Sequence, residues 1–182
     1  MNFLVHIYLS KDREDTLVGN FLGDYLKGDI NKFPPFLRTG IIFHRKIDSF
    51  SNSHKSHIKN SNILKTLFGR FAPIAVDILA DIYLFESFHL FEKQDRVTFF
   101  NNIRSKLLEK SKTLDFPILQ TLRRRNWFLE YRENNALFFI HRRLHNYLEI
   151  KPDDFLKLYN DNKEVLFNNY FILINDLKKF FQ

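Results

Sequence analysis

Three stretches of the chain place polar side chains one helical turn apart: His44 and Asp48 in GIIFHRKIDSF, Asn20 and Asp24 in GNFLGDYLKG, and Asp77 and Asp81 in APIAVDILADIYLF. A lone imidazole, His6, interrupts the apolar run MNFLVHIYLS. Side chains at i and i+4 share a helical face, so each pair would present its groups together. The Asp77/Asp81 pair is the most demanding, because its neighbours are almost all apolar and such a helix is buried all round. Like charges at this spacing repel by roughly 0.2–0.5 kcal/mol even when exposed, and burying them without a cation costs more. A counter-charge is required: an arginine, which would make a structural ion pair, or a divalent cation.

Hard cations such as Mg²⁺ and Mn²⁺ take carboxylate, water and some imidazole ligands, and the chain has no cysteine to offer a thiolate. On its own, the His44/Asp48 spacing describes a surface hydrogen bond, and His6 a hydrogen-bonded core histidine. Together the four segments bring imidazole and oxygen donors that could converge. Arg45 and Lys46 lie between His44 and Asp48 but point to other faces of the helix. His141 and His145 are also four apart, yet lack the glutamate of a zinc-protease helix and read as exposed neighbours.

The elements that must carry these groups read as helices throughout. Only five glycines and five prolines punctuate the 182 residues, and β-branched alternation is scarce. Apolar periodicity with capping signals predicts helices over 15–27, ended by Gly28, from Pro34 to about Phe50, over 53–68, and from Pro73 to about Phe91. Further helices are predicted over 95–111, 115–130, 133–148 and 153–181. Gly19 and Gly23 would admit close approach of another backbone. His54 and His57, at a helix start, are expected to be solvated. No repeat or linker interrupts the pattern, so the expectation is a single all-α domain over 1–182, a compact helical bundle.

The absence of cysteine excludes a disulfide framework and a cysteine nucleophile and suits a reducing compartment, the cytoplasm. The N-terminal segment lacks the basic region of a signal peptide, and no stretch is apolar enough for membrane insertion. Lysine and arginine number 28 against 21 acidic residues, a net charge of +7 that favours an acidic partner. Basic groups concentrate late, at Arg123, Arg124, Arg125, Arg142 and Arg143. This run is either a solvated face or a docking surface. Interleaved with Trp127, Phe128 and Tyr131 it could also serve nucleic acid, but that role leaves the acidic pairs without a purpose.

The segments MNFLVH, GNFLGDYLKG, GIIFHRKIDSF, APIAVDILADIYL and WFLEYR, in this order, resemble the successive motifs of the acyl carrier protein phosphodiesterase family, also called acyl carrier protein hydrolase. The resemblance implies an all-helical, HD-domain-like enzyme that uses a divalent metal, usually Mn²⁺ with Mg²⁺ or Fe²⁺ as alternatives. Such an enzyme removes the 4′-phosphopantetheine arm from holo-acyl carrier protein. Carried over by motif, Asp24, His44, Asp48, Asp77 and Asp81 are the expected metal ligands. Asp24 is also expected at the chemistry, with Arg45 neutralising the phosphoryl oxygens and His6 as the acid that protonates the departing serine oxygen. The basic run is the expected docking surface for the acidic carrier protein. The chain departs from the family pattern at Asn52, where an aspartate is expected, and at Ile82, where a histidine is common, and it has no adjacent His-Asp pair.

Overall fold

The computed structural model describes residues 2–182, and among these every regular element is helical. The apolar N-terminal run forms a short helix that periodicity did not predict, α1 (Phe3–Leu9), which is buried along almost its whole length. It is followed by α2 (Leu17–Phe21), α3 (Pro35–Ser53), α4 (Lys55–Phe68) and α5 (Ala72–Glu86). The chain continues through α6 (Arg96–Lys110), α7 (Pro117–Arg124), α8 (Ala136–Leu144) and α9 (Pro152–Phe181).

The predicted helices over 15–27 and 115–130 are shorter in the fold. α2 closes at Leu22, and turns carry the chain to Gly28, whose φ of 92° lies in the left-handed region that favours glycine. α7 starts at Pro117, where the missing N–H costs nothing, and stops at Arg125, which is extended; a 3₁₀ turn over Trp127–Glu130 follows. Side-chain caps open two of the longer helices. Asp95 accepts from Thr98 N at 2.9 Å, and His54 Nδ1 accepts from Ser56 N at 3.2 Å. His54 also reaches Asp176 of α9 at 3.3 Å, so it is a cap and a helix tie instead of the solvated residue its position suggested.

As its composition requires, α5 is the central helix, with Ala75, Val76, Leu79, Ala80 and Leu84 all buried. α4 and the 30-residue α9 pack over it, tied by a buried amide pair in which Asn169 Nδ2 donates to Asn60 Oδ1 at 2.8 Å. α1 and the α2–α3 pair close the other side. α2 and α3 cross at Gly19 and Gly40, where a Cβ on either would collide with the opposing backbone. That crossing brings Asn20 on α2 and His44 on α3 within hydrogen-bond reach of each other. No helix among the described residues is long and apolar enough to cross a membrane.

Candidate functional site

The site is assembled around Asn20, which is fully buried. Its amide nitrogen donates to His6 O at 2.7 Å and to Ser10 Oγ at 2.8 Å, which sets the amide orientation. Asn20 Oδ1 therefore accepts from His6 Nδ1–H at 2.8 Å, and the Asn20 backbone carbonyl accepts from His44 Nδ1–H at 2.9 Å. One residue thus keeps a proton on Nδ1 of both imidazole rings. The rings stack at 3.9 Å, 12° from parallel, and His44 lies so close to Gly23 that any Cβ there would enter its ring.

Both Nε2 atoms then face Asp48. His6 Nε2 is 3.2 Å from Asp48 Oδ1 and His44 Nε2 is 3.1 Å from Asp48 Oδ2, with Asp24 Oδ1 3.7 Å from the same His44 atom. Burial drives His6 down to about 4, against the pull of Asp48. Burial would depress His44 too, but its hydrogen bonds to Asp24 and Asp48 prevail and raise it to about 9. Asp48 is held well below the usual carboxylate range: burial opposes this, and the bonds from His44 and His6 overrule it. His44 lowers Asp24 in the same way.

A neutral His6 has one proton for two nitrogens, each facing an oxygen. Asn20 takes the proton on Nδ1, which leaves the Nε2 lone pair aimed at a carboxylate. A cation between them resolves that conflict, and His6, His44 and Asp48 offer one ligand atom each within 4.8 Å of one another. The 3.1 and 3.2 Å separations run to different oxygens of Asp48, and two imidazole nitrogens facing one carboxylate are donors that a divalent ion takes. The donor set therefore fits a divalent ion, with Asp24 as a fourth candidate ligand and Asn20 as the outer partner that ligating histidines use.

Asp77 lines the same pocket, with Asp24, Asp48, Asn52 and Arg143. Behind it stands His57, which is buried and not solvated as expected; its Nε2 lies 2.9 Å from Asp77 Oδ1. Asp81 departs from the expected ligand set. It is fully buried one turn deeper, and its oxygens accept the N–H groups of Leu4 and Val5, both at 2.9 Å. Its position is explained by holding the first turn of α1, the turn that also carries His6 to the pocket. Asp81→Ala would strand those two donors at a cost of about 2–5 kcal/mol, visible as a lower melting temperature of the metal-free protein. Burial lifts Asp81 from 3.8 to about 7, with the two N–H groups pulling the other way. A raised carboxyl stabilises the fold in full below its unfolded value and loses that contribution as pH rises through the folded one. The stability of the wild type relative to the permanently neutral Asp81→Asn should therefore fall from about pH 4 to about pH 7 in denaturant titrations.

The expected roles of Arg45 and His6 also change. Arg45 is exposed, and its guanidinium donates to Gly28 O at 2.7 Å, away from the pocket; adjacent residues on a helix diverge. His6, with its low pKa and committed Nδ1–H, suits a ligand better than a proton donor. Arg143 supplies the cation at the pocket, with Nη2 3.9 Å from Asp24 Oδ2. The basic run itself divides. Arg123 donates to Ser111 O and Leu114 O, Arg125 pairs with Glu130 at 3.2 Å, Arg124 is exposed, and Arg142 and Arg143 line the cleft beside the pocket. Ile82, at a departure from the family pattern, is buried in the core, whereas Asn52 does face the pocket.

A family model described as acyl carrier protein phosphodiesterase matches residues 1–182. Curated proteins of that name are similar over 85 residues: that of Photorhabdus laumondii is 31% identical, covering 46% of this chain and 43% of its own. That of Yersinia pestis is 31% identical, with 46% and 44% covered. That of Escherichia coli K12 is 34% identical, again with 46% and 44% covered. The match spans less than half the length of each relative. No solved structure matches the chain.

Proposed function

The chain belongs to the acyl carrier protein phosphodiesterase family, and from that premise we propose that it hydrolyses the 4′-phosphopantetheine arm from holo-acyl carrier protein with the help of a divalent metal. The observation that carries the reading is the pair of imidazoles whose Nδ1–H groups are both spent on Asn20, leaving both Nε2 atoms on Asp48. His6, His44 and Asp48 would hold the ion, with Asp24 beside them. Mixed imidazole and carboxylate donors favour Mn²⁺ or Fe²⁺ over Mg²⁺. The ion would supply Lewis-acid charge to the phosphodiester and acidify water.

The protein's own groups do the rest. Asn20 keeps the Nδ1 proton on both rings, so that Nε2 is the nitrogen each would offer the ion. Arg143, at the pocket edge, would neutralise charge growing on the phosphoryl oxygens. Asp77, backed by His57, faces the pocket and would take the proton from the attacking water or return it to the departing serine oxygen. Arg142 and Arg143 would also meet the acidic carrier protein, in keeping with the net charge of +7. Arg143→Ala should lower kcat/KM about a hundredfold, as loss of one preorganised charge does, while Arg45→Ala should stay within about twofold.

Intact mass spectrometry of holo-carrier protein incubated with the chain tests the reading. With Mn²⁺ the mass should fall to that of the apo form, and EDTA should stop the change. A carrier protein that keeps its arm under every metal tried would refute the activity; release that is indifferent to EDTA would refute the metal.

A further inference from the structure

Resting on the phosphodiesterase reading, we propose that the aromatic cleft next to the acidic pocket seats the pantoyl end of the phosphopantetheine arm, so that the arm and the carrier protein leave the phosphate in opposite directions. The cleft has a volume of about 180 Å³ and shares Asn2, Ile78 and Arg143 with the acidic pocket. A phosphate held by Arg143 therefore stands at the mouth of both. The cleft's walls are Phe3, Tyr25, Ile118, Thr121, Trp127 and Phe139. They are braced by packing: Phe3 meets Trp127 edge-on at 5.2 Å, and Tyr131 stacks on Phe139 at 4.3 Å. At the threshold, Asn2 Nδ2 donates to the Tyr131 hydroxyl at 3.0 Å.

The chemistry of the two phosphate substituents decides which one enters. The serine side is anchored in a folded protein, whose backbone cannot follow a side chain into a cleft of about 180 Å³. The pantetheine side is a single extended chain. Its first carbons beyond the ester oxygen form a gem-dimethyl group, followed by a hydroxyl and an amide. The apolar and aromatic walls suit the methyl groups, and the Thr121 hydroxyl, which donates to Pro117 O and is left as an acceptor, and the Arg142 guanidinium suit the polar groups.

The chain has one tryptophan, and it lines this cleft, so its emission reports occupancy directly. Titrating the full chain with pantetheine should shift Trp127 fluorescence to saturation, whereas inorganic phosphate should not. Thr121→Phe fills the cleft from the half-buried side of α7 and should weaken the pantetheine response about tenfold or more, as overfilling a packed site does. Circular dichroism checks that this variant folds, and the wild-type comparison of pantetheine with phosphate stands without it. No saturable shift in the wild type, an equal response to phosphate, or an unchanged response in folded Thr121→Phe would overturn the cleft assignment. This readout needs no turnover: a carrier protein that keeps its arm while pantetheine still shifts Trp127 counts against the hydrolase alone, and arm release with a Trp127 blind to pantetheine counts against the cleft alone.

Discussion

Asp48→Asn is expected to lower the rate of arm release by on the order of a thousandfold and to strip the chain of tightly held Mn²⁺, with the helical fold retained. The substitution keeps the size of the side chain and its ability to hydrogen-bond, and removes the charge. Asp48 is the only acid whose two oxygens both meet a fixed imidazole nitrogen among the described residues, at 3.2 Å from His6 and 3.1 Å from His44. An amide there can offer one oxygen to one imidazole, and no charge to offset a dication. The change should therefore act on metal content and turnover together, read by elemental analysis and by the carrier protein's mass. A folded Asp48→Asn chain with full metal content and undiminished release would remove Asp48 from the site and, with it, the centre of the proposed mechanism.

The i,i+4 rule placed His44 and Asp48 on one face of α3, and in the fold their side chains do meet there, at 3.1 Å. It misjudged α5. Asp77 and Asp81 share a face, yet one turn of helix separates the pocket from the underside of α1, and only Asp77 reaches the pocket. What claims Asp81 is a pair of backbone N–H groups 76 and 77 residues away in sequence, a demand that no local pattern encodes. The same applies to His57, which looks solvated beside SNSHKSH until α4 packs on α5 and turns it towards Asp77. The error over Arg45 was local. Its neighbour His44 points inward, and a helix turns about 100° per residue, so adjacency in sequence argued against a shared site. Arg143 came from the far end of the chain, where charge density suggested a docking face without indicating which arginine would reach the acids. The helical class was legible because periodicity and scarce turn residues are local properties; α1 was not, since a short run apolar on every face but for His6 carries no amphipathic signature.

Asn20→Ala is the second substitution with a large expected effect, because it separates holding the ligands from being one. The truncation leaves His6 Nδ1–H, His6 O and Ser10 Oγ without the amide, in a buried setting, at a cost of about 2–5 kcal/mol. The His44 bond survives, since it goes to the Asn20 backbone carbonyl. His6 alone is then released to change tautomer and turn its protonated nitrogen towards Asp48, and metal affinity should fall about 10- to 100-fold, the usual consequence of losing a ligand's outer partner. A lower melting temperature cannot by itself distinguish this from ordinary core damage. Ser10→Ala supplies the contrast: it removes one partner of the same amide and leaves the bond from His6 to Asn20 Oδ1 in place, so stability should drop while Mn²⁺ affinity holds. Calorimetric Mn²⁺ titration of both variants decides the point. If the two lose stability and affinity in the same proportion, Asn20 is a packing residue; if affinity collapses only in Asn20→Ala, the amide sets which nitrogen of His6 faces the metal.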